Sequence, residues 1–291
     1  MLRIVTVVFK NYLDLPDFYK SLCEKIEIPS ELYIWDNSPS SLYNQRPRLE
    51  GSIPVRFLGN GENLGFGTGI NNSCFEKAVN LNRSPNSFLI LNPDTSLLDS
   101  ISSEILKKWM SLGGIVGLGV FSDTEKKIRQ ASARSFPSVA TGLTHRTGIL
   151  TRIWPENPWS RKYLGQSLDP HEIQKVDWVS GCAIFSPAEI FKTLEGFDTH
   201  YFLYVEDVDL GQKSKALRLH VYFDPAVAVF HKGATSSKSS PLIADWYHHR
   251  GMLRYSWKWS GFWGRVFWPL KAAGILIRFF LRLGLRLAGT L

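Results

Sequence analysis

From Arg3 to about Asp123, short apolar runs alternate with amphipathic segments. RIVTVVF, ELYIWD, PVRFLG, SFLILN and GIVGLGVF are rich in β-branched and aromatic residues and read as strands. Between them, Leu13 to Ile26, Gly67 to Asn80 and Ser100 to Leu112 place their apolar residues at helical spacing. Strands that are apolar on both faces belong to a mostly parallel sheet covered by helices on each side, so the front of the chain reads as α/β.

In such sheets ligands collect beyond the carboxyl ends of the strands, and those positions are polar here. Asp36 and Asn37 follow YIW, Asn60 to Gly69 follow VRFL, and Asn92 to Thr95 follow FLIL. Ser135 to about Glu172 has no clear period and is rich in Pro, Trp, Arg and Gly; it reads as an excursion on the binding face or a mobile lid. VDWVSGCAIF then resumes as one strand, and PAEIFKTL begins a helix with Pro187 near its first turn.

Composition adds little to this until the charge is located. With 44% hydrophobic residues in 291, the chain carries enough apolar mass for a large globular domain, and general disorder is excluded. Cys23, Cys74 and Cys182 are scattered and lack a CxxC pair, which argues against a disulfide framework or structural zinc and fits a reducing compartment. The opening MLRIVTVVF is too short for a secretory apolar core. All 26 acidic residues lie at or before Asp245, and the eight Lys and Arg after it account for the net charge of +8.

Three segments carry candidate chemistry. YFLYVEDVDLG brings Glu206, Asp207 and Asp209 to the start of a helical segment, where the dipole favours negative charge; simple capping is the plain alternative. Asp94 follows a buried strand in LNPDT, where an acid can bind a divalent ion that draws its remaining ligands from phosphate, or can simply close a turn. NLGFGTGINN, Asn63 to Asn72, has glycines that allow close approach of backbone to a ligand before a helix begins.

In order and spacing, WDNS, NLGFG, LNPDT, VSGCAIF, GFDTHYFLYVEDVDL and VAVFHKG, between residues 3 and 235, resemble the family 2 glycosyltransferases of GT-A fold, in particular the bacterial rhamnosyltransferase-like group. The resemblance implies a Rossmann-like, mixed but mostly parallel sheet over residues 1–235, followed by a helical tail over 236–291. It implies that Asp36 and Asn37 hold the base or ribose of a nucleotide sugar, with Asn63, Gly65 and Asn71 along the nucleotide. Asp94 would coordinate Mg²⁺ or Mn²⁺, with Asn92 standing where the family has its first acid. His231 of FHKG would be a later metal or diphosphate contact, or a structural histidine. Asp207 becomes the general base of an inverting transfer, Glu206 its assistant or replacement, and Asp209 an anchor of the helix. Gly181 would give a substrate room beside its strand, or mark a bulge.

At 100° per residue Lys271, Arg278, Arg282 and Arg286 share one stripe of the tail, amid Leu, Ile and Phe. This reads as an interfacial helix whose arginines meet anionic headgroups while Trp263, Trp268, Phe279 and Phe280 enter the acyl boundary; the arginines interrupt any spanning run. Packing on the catalytic domain or an oligomer contact is the alternative. A membrane surface and a lipid-linked glycan acceptor at the cytoplasmic face follow from the resemblance, with dTDP-rhamnose the favoured donor. UDP-galactofuranose or a UDP-hexose with the same machinery, a basic nucleic-acid-binding module, and a catalytically inactive scaffold are the competing expectations.

Overall fold

The apolar runs form strands because both of their faces are covered. Leu2–Val8 (β1) buries all but Val7, and Ser87–Leu91 (β4) buries every residue. These come from a computed structural model of the chain, which describes residues 1–76, 85–138, 153–154, 157–233 and 241–287. Parallel to β1 lie β4 on one side and Ser30–Asp36 (β2) on the other, with Val55–Leu58 (β3) beyond β2. Thr95–Leu97 (β5), Ile115–Phe121 (β6), Gln174–Val176 (β8), Ala183–Pro187 (β10) and Val221–His231 (β11) complete a nine-stranded sheet of order β3-β2-β1-β4-β10-β6-β11-β5, with β8 also on β11. Ala133–Arg134 (β7) and Trp178–Val179 (β9) form a separate two-stranded pair.

β10 runs antiparallel to both β4 and β6, so its start, Ala183, sits opposite Leu91 at the end of β4. The sequence therefore delivers Gly181 and Cys182 to the same edge as Asn92–Asp94. β11 carries Pro225 inside the strand, and its register shifts between Asp224 and Ala228, as the missing N–H of a proline requires.

Leu15–Lys25 (α1), Phe66–Phe75 (α2) and Ser103–Leu112 (α3) answer the three predicted helices. Lys77 to Asn80, the end of the second prediction, lies outside the described residues. Ser102 caps α3 by accepting from the Ile105 N–H, and Gly113 ends it with φ +61°. Pro158–Tyr163 (α4), Ala188–Thr193 (α5) and Glu206–Ala216 (α6) follow. Pro187 is the N-cap of α5.

VDWVSGCAIF is not one strand. Asp177 turns its carboxylate to the Phe136 N–H at 2.7 Å, which separates β8 from β9, and the Ser180–Gly181 turn separates β9 from β10. Of the Ser135–Glu172 excursion, residues 139–152 and 155–156 lie outside the described residues.

The last helices are Pro241–Lys258 (α7), Phe262–Val266 (α8) and Trp268–Leu287 (α9). α7 shares a core with α6: Tyr255 is buried with Trp178, Tyr201, Val205 and Val208. The last strand of the sheet ends at His231, and α7 packs through Tyr255 on the segment that carries the acidic motif.

Candidate active site

The acidic motif is presented by a sharp turn. Tyr204 and Val205 both have positive φ, +67° and +73°, a conformation that is sterically costly for a β-branched residue. Packing holds it: Val205 is buried, and Gly251 of α7 approaches so closely that a Cβ there would lie 2.9 Å from Val205 Cγ2. α6 begins at the next residue, so Glu206 and Asp207 occupy its first turn.

Asp207 is half-buried and lines a cavity of about 890 Å³. Its Oδ2 accepts the Gly181 N–H at 3.1 Å and its Oδ1 the Val208 N–H at 2.8 Å. Gly181 thus serves as a backbone donor that orients the acid, and a Cβ on it would meet the Phe66 ring at 3.2 Å. Burial raises the pKa of Asp207, opposed by the two N–H groups. Glu206 lines the same cavity but is almost fully enclosed, and its Oε2 has no hydrogen-bond partner among the described residues. Burial, then the neighbouring Asp207 charge, lifts its pKa well above the carboxylate range. Burial disfavours the charged form of both acids, and it is opposed in Asp207 by the two N–H groups its carboxylate accepts, so Asp207 is the better placed of the two to be the anion.

Asp209 is the anchor the sequence implied. It is fully buried and accepts Tyr201 Oη at 3.1 Å, Trp259 Nε1 at 2.7 Å and Lys258 Nζ at 2.8 Å, which ties α6 to the end of α7.

Across the start of β10, Asp94 Oδ1 lies 3.3 Å from His231 Nε2, and His231 Nδ1 lies 3.0 Å from Gln130 Oε1. Burial works against a charged imidazole here, but the bonds to Asp94 and Cys182 outweigh it and raise the His231 pKa to about 10. The Cys182 thiol is pushed up by burial and feels the charges of His231, Asp94 and Asp207 together, so the three groups belong to one neighbourhood. Among the described residues no group of three or more His, Cys, Asp or Glu could hold a metal. Asp94 fits a divalent ion taking most of its ligands from a diphosphate, whereas a charged His231 has no lone pair for a metal and suits a phosphate oxygen. Gln130 carries no motif and was not legible as a site residue; its signal is the hydrogen bond itself.

The remaining predicted residues are placed one layer away. Asp36 is fully buried; its carboxylate accepts Tyr12 Oη, Arg46 Nε and the Ser38 N–H at 2.8, 2.8 and 2.9 Å. Arg46, stacked on Tyr43, covers it, so Asp36 holds the strand end together. Asn37 joins that end to the glycine-rich loop, donating to Gly65 O and accepting from Leu64 N–H. Asn63 is exposed and closes a local turn on the Gly65 N–H. Gly65 has φ +85°, and a Cβ on it would fall 2.3 Å from Phe202 O, so only glycine lets this loop meet the YFLY segment. Asn71, in place of the expected nucleotide contact, clamps the backbone of Phe197 with both amide atoms, at 2.8 and 2.9 Å.

The basic stripe of the tail is engaged within the protein. Arg282 and Arg286 pair with Asp245 of α7, and Lys271 and Arg278 line the cavity that contains Asp207. Trp268 and Phe279 also turn inward, Trp268 donating to Ser256 Oγ and Phe279 packing on Trp246 and His249. Beside Arg265, α8 and α9 expose mainly large apolar side chains, among them Phe262, Trp263, Ile277, Phe280 and Leu281. The cause is Asp245, which draws the arginines to α7 and leaves the opposite face to Leu, Ile and Phe. No described helix is long and apolar enough to cross a membrane.

No protein-family model matches the chain. It is 29% identical over 294 residues to N-acetylglucosaminyl-diphospho-decaprenol L-rhamnosyltransferase of Mycobacterium tuberculosis, a match covering 94% of this chain and 90% of that protein. It is 25% identical over 248 residues to rhamnosyltransferase WbbL of Escherichia coli K12, covering 82% of this chain and 88% of that one. Among solved structures, GalNAc-T7 with UDP, GalNAc and Mn²⁺ superposes with a TM-score of 0.53 at 10% identity, over 79% of this chain and 43% of that one. This last likeness is one of fold. The sheet order and these likenesses give the chain a GT-A fold and glycosyltransferase activity, and its sequence is similar to those of rhamnosyltransferases.

Proposed function

We propose that the chain transfers L-rhamnose from dTDP-rhamnose, with inversion, to a polyprenyl-diphosphate-linked glycan, working at the cytoplasmic face of a membrane to which its C-terminal helices bind. The observation that supports this reading is Asp207 itself: an acid at a helix start, held by two N–H groups and lining a large cavity, while Asp94 and His231 lie outside that lining and share with Asp207 only the surroundings of Cys182. The M. tuberculosis relative, whose name specifies L-rhamnose and a diphospho-decaprenol acceptor, supplies the substrate class.

An acceptor hydroxyl in the cavity attacks the anomeric carbon. Its proton passes to Asp207 as the new C–O bond forms, and the bond to the diphosphate oxygen breaks, releasing the nucleoside diphosphate. Neutral Glu206 offers the acceptor a hydrogen bond without adding a second negative charge beside the base. A Mg²⁺ or Mn²⁺ held by Asp94, with His231 beside it, would neutralise charge on the leaving diphosphate. The exposed aromatic face of α8 and α9 is the surface that would enter the lipid interface.

The test offers dTDP-rhamnose, UDP-galactofuranose and UDP-hexoses with a polyprenyl-diphosphate-linked N-acetylglucosamine acceptor, and measures nucleotide release and lipid-bound product. Acceptor-dependent release of dTDP, abolished by EDTA and restored by Mg²⁺ or Mn²⁺, is the expected result. Turnover of a UDP-sugar alone would overturn the donor assignment, and full activity in EDTA the metal.

A further inference from the structure

The cavity beside Asp207 has an unusual wall. Arg134 comes from β7 in the body, and Lys271 and Arg278 come from the tail helix α9; all three line it. Arg134 Nε donates to a carbonyl, Ala131 O, at 2.7 Å. Among the described residues none of the three forms a salt bridge, although Arg282 and Arg286, one and two turns further along α9, are both paired to Asp245. Arg278 is partly buried in this position, and burial lowers its pKa. A desolvated guanidinium without an anion is unfavourable. Two carboxyls line the same cavity: burial resists ionisation of Glu206, and Asp207, on which the Arg134 charge acts, offsets one cation, so Lys271 and Arg278 remain without a salt-bridged carboxylate there and a bound anion would complete them.

Part of the remaining lining is apolar, beside polar groups such as Gln212, His248 and Ser256. Met252, Trp259, Leu270 and Ile275 contribute, and Leu270 is 72% exposed, so the cavity opens where the outward apolar face of α9 begins. The same cavity wall thus carries a candidate base, three cations and an exposed apolar side chain of α9.

We infer that Arg134, Lys271 and Arg278 form the binding site for the diphosphate of a polyprenyl-diphosphate acceptor, whose glycan faces Asp207 and whose isoprenoid chain leaves past Leu270 along α9. Guanidinium groups match phosphate oxygens in paired hydrogen bonds, and a lysine adds a point charge. The assignment gives α9 a part in acceptor recognition as well as in surface attachment. It rests on the reading of the chain as a transferase acting on a lipid-linked acceptor, but its test needs no turnover.

Farnesyl diphosphate is titrated into the full-length protein, with farnesol, inorganic diphosphate and dTDP-rhamnose as parallel probes. Wild-type protein should bind farnesyl diphosphate at least about tenfold more tightly than farnesol or diphosphate alone, because only the intact ligand engages both the cations and the apolar wall. Arg278→Gln with Lys271→Gln should weaken that binding about 30-fold or more, with donor affinity held within about twofold. Arg278→Lys should retain part of it, and an unchanged unfolding midpoint shows that each variant is folded. Equal affinity for farnesyl diphosphate in wild type and the double variant would overturn the site. Loss of dTDP-rhamnose binding instead would reassign the cations to the donor, and displacement of farnesyl diphosphate by phosphatidylglycerol vesicles would reassign them to a lipid headgroup. A wild-type protein that binds farnesyl diphosphate but transfers no sugar would overturn the proposed function and leave this site standing.

Discussion

Lys258→Met removes one cation shared by two carboxylates. Lys258 Nζ lies 2.8 Å from Asp198 Oδ2 and 2.8 Å from Asp209 Oδ2. After the change Asp198 keeps Arg254, at 3.0 Å, while Asp209 keeps only two neutral donors, Tyr201 and Trp259. Removing one partner of a buried pair costs about 3–5 kcal/mol. The Lys258 side chain is 28% exposed, and Asp209 remains hydrogen-bonded, which brings the expected loss to about 2–3 kcal/mol. For a chain of this size that is a fall in Tm of about 4–12 °C. Urea unfolding followed by tryptophan fluorescence measures it, with Asp209→Asn and the double variant completing a cycle. A neutral amide in place of the Asp209 carboxylate needs no cation, so the two changes should be coupled by at least about 1 kcal/mol. The ion pairs hold the Asp198 carboxyl far below its usual range against the effect of burial. A carboxylate depressed in this way stabilises the fold above its unfolded pKa of about 3.9, and the contribution is lost as pH falls through the folded value. The gap between wild type and Lys258→Met should therefore be full at pH 7 and shrink below about pH 4. A loss under about 0.5 kcal/mol, as for an exposed pair, or a gap unaltered at pH 3, would refute the reasoning.

Burial raises the Asp207 pKa, so the active anion is lost as pH falls through a value above the ordinary aspartate figure of about 3.9; kcat/KM should show its acid limb there, and a limb at or below about 3.9 contradicts the burial argument. Burial and the neighbouring Asp207 disfavour the Glu206 anion, so Glu206→Gln should lower transfer less than about tenfold, and a larger loss would assign Glu206 an anionic role. Trp263→Ser with Phe280→Ser removes two exposed aromatic rings of the tail and should lower cosedimentation with liposomes at least about tenfold, with little dependence on salt. Binding that survives these changes but vanishes at high salt would restore the arginine–headgroup reading.

Much of this architecture was legible in the chain because its determinants are local. β1, β2, β4 and β6 are buried on both faces, so each reads as an apolar run, and α1 and α3 show their inner faces at helical spacing. The acidic motif was legible for the same reason: Asp207 lies where an apolar stretch meets a helix start. β5, β8 and β9 were not, since strands of two or three residues have no period to read. Partners distant in sequence were hidden as well. Asn71 and Phe197 lie 126 residues apart, and nothing in NLGFGTGINN announces that this amide holds another turn. Periodicity placed the tail cations on one stripe, but the side they face is decided by Asp245, 37 residues before Arg282.

The central claim, that Asp207 is the base, is tested most directly by Asp207→Asn, comparing calorimetric donor binding with rhamnosyl transfer. The account predicts donor affinity within about twofold of wild type and transfer reduced about 10²- to 10⁴-fold, equivalent to about 2.7–5.5 kcal/mol of barrier. Undiminished turnover, or transfer lost only because the donor no longer binds, would contradict it.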